Sequence, residues 1–124
     1  MGIFDGMMGN ASEISAGDAE KELTELLTSS EKVEHAYKLI RDLFVFTNKR
    51  LILVDKQGVT GKKMEYHSIP YKSITHFSVE TAETFDLEAE LKIWVSGNSV
   101  PIQKTFNKQL NIYHVQSVLA SYVC

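Results

Sequence analysis

The side chains best suited to chemistry are four consecutive polar residues that separate two apolar runs. These residues are Thr47, Asn48, Lys49 and Arg50. Together they offer hydrogen-bond donors, acceptors and a planar guanidinium, a group that suits the carboxylates of a protein partner. They are therefore candidates for a partner-binding surface or for an interface between copies of the chain.

The same four residues also have a structural explanation. Asn tolerates positive φ, so Asn48 and Lys49 can form the two-residue turn of a β-hairpin. Arg50 can pair with Asp42 or Asp55 of its own chain. If Arg50 instead contacts a neighbour, its reversal to Glu should disturb assembly or partner capture without unfolding the domain.

A group of lysines offers an alternative function, the binding of an anionic lipid or phosphate. Its members are Lys56, Lys62 and Lys63. Lysines on a loop are also typical of a plain solvated surface. The segment fails the phosphate-loop pattern, since Lys56 stands where the first glycine is required and no Ser or Thr follows Lys62. Under this alternative the chain is a peripheral membrane module that also uses the arm Met1–Met8.

The remaining reactive side chains form no recognisable site. The histidines stand apart at His35, His67, His76 and His114, without metal-ligand spacing. The acidic residues between Glu80 and Glu90 lack the oxygen spacing and central glycine of a calcium loop. The single cysteine, Cys124, is the last residue and predicts neither a disulfide nor a catalytic thiol. We therefore expect no enzyme activity, no metal and no cofactor.

Composition limits the class of protein. The 124 residues, 44% of them hydrophobic, suit one globular domain. The net charge of −3 argues against a nucleic-acid partner, which usually requires a basic face. The chain opens without a basic segment followed by an apolar run, and no window has the roughly 20 apolar residues that span a bilayer. These features predict a cytoplasmic protein.

The apolar pattern divides this single domain, 1–124, into four parts. An N-terminal arm covers 1–14, and a helix capped by Ser15 covers 15–29. Residues 32–106 read as about seven short strands, the clearest being the alternating segment Leu87–Val95. A closing helix covers 107–123 and is capped by Asn107. Seven antiparallel strands and one amphipathic helix predict a mainly β domain, either a small barrel or two orthogonal sheets, with the helix across its open end.

The two strands that flank the polar tetrapeptide are apolar at every position. Leu43–Phe46 and Leu51–Val54 do not alternate, whereas an antiparallel strand with one wet face should. Both faces of these strands must therefore be covered. The cover is a helix, the N-terminal segment or another copy of the chain.

The run RDLFVFTNKRLILVDKQGVTGKK, residues 41–63, resembles the bacterial pleckstrin-homology domain family. The opening MGIFDGMMGNASE is also similar to that family, and the resemblance covers nearly the whole chain. Its most specific part joins the polar tetrapeptide to Asp55 and Gln57. Asp55 and Gln57 complete the candidate interface set.

The resemblance implies a pleckstrin-homology-like barrel with a C-terminal capping helix and no enzymatic activity. It also implies a cyclic homo-oligomer, with single-domain members resembling a pentameric ring. Some relatives carry an added helical hairpin, so a chain that stops at Cys124 is expected to form the smaller ring. Partners would be other copies and an unidentified protein, bound at a hydrophilic surface where strands of adjacent protomers meet.

Overall fold

The computed structural model describes residues 12–39, 42–57, 63–81, 88–107 and 111–124. The strands are β1 Ser12–Ile14, β2 Val33–Lys38, β3 Leu43–Thr47, β4 Arg50–Gln57, β5 Lys63–Pro70, β6 Ile74–Thr81, β7 Glu88–Val95 and β8 Ile102–Asn107. The helices are α1 Ala16–Glu22, a 3₁₀ turn Tyr71–Ser73 and α2 Ile112–Val123. The strands form two antiparallel sheets, ordered β1-β2-β3-β4-β5 and β6-β7-β8. The predicted mainly β class with a C-terminal helix is confirmed.

The chain divides into two compact units, one ending at Ile69 and the other beginning at Pro70. In the first unit, β3 and β4 form the predicted hairpin, with Phe46 opposite Leu51 and only Asn48 and Lys49 between the strands. Both faces of the hairpin are buried, since no apolar residue of the two predicted runs is more than 2% exposed. The requirement for two covered faces is confirmed within one copy of the chain.

One face of the hairpin is covered by the N-terminal segment. Leu43, Val45, Ile52 and Val54 form a core cluster with Ile14 of β1 and with Ala19 and Leu23 of the α1 region. Burying a side chain such as Leu23 contributes about 1.5–3 kcal/mol. These apolar runs therefore give no support to an interface with a neighbouring copy.

Two N-terminal boundaries differ from the sequence prediction. Ser12–Ile14, assigned to the arm, forms β1 and pairs with β2, while residues 1–11 lie outside the described part. Ser15 is the predicted cap and accepts a hydrogen bond from the Asp18 N–H at 3.1 Å. However, α1 ends at Glu22 instead of residue 29. The Thr24 hydroxyl lies 3.0 Å from the carbonyl oxygens of Glu20 and Lys21, and its one hydrogen can be donated to either of them, in competition with further helical bonds.

The second unit is built on the alternating strand β7. Ala89, Leu91 and Ile93 are buried, and the residues between them are more exposed, as predicted. Gly97 takes φ 83° in the turn after β7, a conformation that favours glycine. On the more exposed face, Trp94 stacks on His76 of β6 with ring centroids 4.4 Å apart.

Helix α2 packs against β6 and the 3₁₀ turn. The sequence predicts an apolar stripe of Ile112, Val115, Val118, Leu119 and Tyr122. The first four are buried, and Tyr122 is half-buried. The predicted start at Asn107 is wrong, because Asn107 ends β8 and the helix begins at Ile112. Asn111 is the cap, and its Oδ1 accepts from the N–H groups of Tyr113 and His114. Within the described residues, no helix is both long and apolar enough to cross a bilayer.

Candidate interaction surface at the β3–β4 hairpin

Thr47 is the buried centre of the hairpin turn. Its hydroxyl donates to Glu31 Oε2 at 2.6 Å and lies 3.0 Å from the carbonyl oxygen of Arg50. Thr47 Oγ1 also accepts the backbone N–H groups of Lys49 and Arg50, each at 3.0 Å. A side-chain hydroxyl that binds the turn's own backbone fixes its geometry. Thr47 is therefore buried and fixes the conformation of the turn that carries the candidate surface.

Arg50 forms a bidentate ion pair with Glu31. Nε donates to Oε2 and Nη2 donates to Oε1, both at 2.9 Å. The guanidinium also donates to Ser68 Oγ and to the carbonyl of Leu26, again at 2.9 Å. The side chain of Arg50 is 21% exposed and that of Glu31 is 0% exposed. One arginine thus links the hairpin, β5, the turn after α1 and the segment before β2.

The alternative that Arg50 pairs with Asp42 or Asp55 is wrong, because the carboxylate that meets it is Glu31. Sequence reasoning missed Glu31, which follows the predicted helix and has the appearance of a surface charge. A signal was present, however, in the spacing Thr28-x-x-Glu31, which has the form of a capping box. In the structure, Glu31 Oε1 accepts the N–H of Thr28 at 3.2 Å.

The surroundings of Glu31 keep it ionised. Burial alone would raise its pKa, but hydrogen bonds from Arg50, Thr47 and the Thr28 backbone lower it, as does the positive charge of Arg50. The balance lowers the pKa from 4.5 to about 2. The ion pair is therefore intact at neutral pH and holds the hairpin in one geometry.

Asn48 fastens the hairpin to the segment before β2. Its Oδ1 accepts the N–H of Lys32 at 2.7 Å, and its own N–H donates to the Lys32 carbonyl at 3.0 Å. Its Nδ2 donates to the carbonyl of Ser30 at 3.3 Å. The turn role proposed for Asn48 is thus accompanied by a second role, the pinning of a neighbouring segment.

The exposed part of this arrangement consists of Lys32, Asn48 and Lys49, which we call the hairpin knob. Within the described residues, the ammonium groups of Lys32 and Lys49 make no hydrogen bond or ion pair. A surface held by several hydrogen bonds loses little conformational freedom on binding. The hairpin knob is therefore a preorganised polar surface with two positive charges.

The other predicted site residues are not brought together with the hairpin knob by any described contact. Asp55 is half-buried in β4. The side chains of Gln57 and Lys56 lie outside the described residues, as does Lys62. Lys63 is exposed at the start of β5. The alternative anion-binding group thus has one described member, and the structure gives it no geometry.

Two further features of the described residues bear on ligand binding: the grouping of metal-ligating side chains and a surface groove. No group of three or more His, Cys, Asp or Glu side chains is placed to hold a metal ion there. A groove of about 580 Å³ lies beside the turn after α1, and its lining runs from Lys21 to Leu26 with Tyr66 opposite.

The model of the bacterial PH domain family matches residues 2–123. The chain belongs to this family. This bacterial PH domain is 60% identical to the uncharacterised protein YjqA of Bacillus subtilis (strain 168). The match covers all of this chain and 99% of that protein.

Two solved bacterial structures resemble this bacterial PH domain closely. A pleckstrin homology domain from Shewanella amazonensis SB2B is 54% identical, with a TM-score of 0.83 over 99% of each chain. A DUF1696 family protein with a pleckstrin-homology domain from Shewanella loihica PV-4 is 52% identical, with a TM-score of 0.81 over 94% of this chain and 99% of that chain. The predicted family and pleckstrin-homology-like fold are confirmed.

Proposed function

We propose that this bacterial PH domain is a non-catalytic interaction module that assembles into a cyclic homo-oligomer, a pentamer. In this proposal the hairpin knob lies at the junction between protomers and also meets a further protein partner. The observation that carries the proposal is the preorganisation of the knob. Asn48 pins it through three hydrogen bonds, and the Arg50–Glu31 pair holds its base.

The predicted site residues have two different roles. Thr47 and Arg50 form hydrogen bonds within the protein, whereas Asn48 and Lys49 are exposed. Protein interfaces gain affinity from surfaces that are already ordered before binding. The exposed members, supported by the buried ones, therefore make the best binding surface among the predicted residues.

Edge strands support self-assembly. Among the described strands, β5 has β4 as its sheet neighbour on one side only, and β6 likewise has only β7. Such edges offer unpaired backbone groups to a strand from another chain. Contact between two unlike surfaces of identical chains is head-to-tail, and a rotation that closes gives a ring.

The mass of the native protein in solution tests the assembly. Light scattering on a sizing column should give a single species near five times the 14.0 kDa of one chain. A monomer at all concentrations would overturn the proposal. Sedimentation of that monomer with anionic vesicles, lost on adding salt, would then support the alternative membrane module.

A variant tests the part assigned to the hairpin knob. Asn48→Ala removes the side-chain bonds to Lys32 and Ser30 and should weaken assembly while leaving the circular dichroism spectrum unchanged. Asn98→Ala is the matched control, because Asn98 is exposed and its side chain accepts only from the nearby Val100 N–H among the described contacts. Equal assembly of Asn48→Ala and the wild type would exclude the knob from the junction.

A further inference from the structure

The outer face of the second sheet carries like charges in direct opposition. Glu80 of β6 stands opposite Glu90 of β7, and Glu88 lies two residues away on the same face. We call Glu80, Glu88 and Glu90 the acidic patch. Like charges directly opposite each other destabilise a sheet. This arrangement therefore works against the stability of its own strands.

The neutralisation of the acidic patch within the chain is partial. Gln103 of β8 donates a hydrogen bond to Glu90. Lys92 projects from the same face, two residues along β7 from Glu90. In the part of the chain that the structure describes, these are one amide and one positive charge against three carboxylates. Among the described contacts, Glu80 and Glu88 have no cationic partner.

The hairpin knob has the complementary character. Arg50 is neutralised by Glu31, but Lys32 and Lys49 keep their charges exposed. Their backbones are tied together through Asn48, so the two ammonium groups extend from adjacent, fixed segments. One chain thus presents an ordered cationic surface in its first unit and, among the described residues, a partly compensated anionic surface in its second.

We infer that the hairpin knob of one copy docks on the acidic patch of the next copy. This inference rests on the proposed function, for which it names the two contacting surfaces. A contact centred on two knobs or on two patches would bring like charges together, which is unfavourable. Knob against patch joins unlike surfaces, the kind of contact from which a closed ring is built.

Charge reversal tests the contact by a swap. The knob variant Lys32→Glu/Lys49→Glu and the patch variant Glu80→Lys/Glu90→Lys should each raise the dissociation constant of assembly by about tenfold or more. An equimolar mixture of the two variants should form mixed complexes, because the acidic knob of one meets the basic patch of the other, but a ring of five cannot alternate the two variants throughout and should not close. One chain with all four substitutions should regain the wild-type mass, because every junction then joins an acidic knob to a basic patch.

Matched controls carry the same charge changes elsewhere on the surface. Lys21→Glu/Lys72→Glu and Glu22→Lys/Glu25→Lys alter exposed residues outside both surfaces and should assemble as the wild type does. If a reversal variant does not fold, Lys32→Gln/Lys49→Gln provides a milder test. It should weaken assembly and reduce the effect of added salt on the mass.

The outcomes separate this inference from the proposed function. A monomeric wild type would overturn both. An assembled wild type whose mass survives both reversals would overturn the knob–patch contact and leave the ring standing. Loss of assembly in each variant without restoration in the four-substitution chain would also overturn it. Loss followed by restoration supports it.

Discussion

Arg50 and Glu31 share a bidentate contact in which the carboxylate is fully buried. Removal of either partner leaves the other charge without its counterpart, which is costly where water is excluded. Exposed Lys49 is adjacent in sequence but has no such contact among the described residues. At the residue scale, two neighbouring cations of the hairpin therefore have different roles: Arg50 stabilises the fold, and Lys49 is available for binding.

Arg50→Glu should lower the free energy of unfolding by about 3 kcal/mol or more, because it places a second carboxylate beside Glu31. Lys49→Glu should change the free energy of unfolding of an unassembled protomer by no more than about 0.5 kcal/mol. Urea titration of both variants measures the difference. The variant of Arg50 therefore cannot separate binding from stability, contrary to the expectation from sequence. Equal stability of the two variants would contradict the structural role of the ion pair.

Because the pKa of Glu31 is lowered, the free energy of unfolding should fall at acidic pH. Its pKa is about 2 in the folded protein against an ordinary value of 4.5, so the ionised carboxylate stabilises the fold above pH 4.5. That contribution, on the order of 3 kcal/mol, is lost as the pH falls towards 2. Denaturant titrations of the wild type and Glu31→Gln should differ most at neutral pH and converge near pH 2. Exposed Glu22→Gln should show no such convergence, and a gap for Glu31→Gln that persists at pH 2 would refute the assignment.

The elements of the second unit depend on local signals at their ends. The cap of α2 is Asn111, whose side chain accepts two backbone N–H groups of the first turn. The turn after β7 uses Gly97 at positive φ. At the element scale, one residue caps the start of α2 and one residue allows the turn that follows β7.

Asn111→Ala should destabilise the protein by about 1 kcal/mol, because two N–H groups of the first turn of α2 lose their acceptor. Thermal unfolding followed by circular dichroism measures the loss. Ser117→Ala, at an exposed position within α2, is the comparison and should be neutral or slightly stabilising. An equal loss in both variants would show that capping is not the cause.

Strands and apolar faces could be predicted from sequence because their patterns are local. The alternation in β7, the hairpin turn at Asn48 and the apolar stripe of α2 needed only residue spacing. Helix ends were harder to predict, because the Thr24 hydroxyl contacts carbonyl oxygens of α1 where the apolar spacing alone indicates a continuing helix. The partner of Arg50 depended on a tertiary contact across 19 positions, which spacing does not encode.

At the scale of the whole molecule, the proposed assembly couples folding to association. A protomer held in a ring is stabilised by its neighbours, so the apparent stability depends on protein concentration. The wild-type Tm should rise as the concentration is increased a hundredfold, whereas the knob variant Lys32→Glu/Lys49→Glu should show little change. Scanning calorimetry at several concentrations measures this, and a wild-type Tm independent of concentration would contradict the assembly.

The order of strands in both sheets follows the order of the sequence. Apart from β1 and β2, which are separated by α1 and the turn after it, each strand meets its neighbour after a short connection, so few long loops must be closed during folding. On the ribosome, every new strand would find the edge it needs already synthesised, without waiting for a distant segment. In a chain arranged in this way, the inner strands of each sheet are paired soon after they are made, which limits the opportunity for aggregation during synthesis.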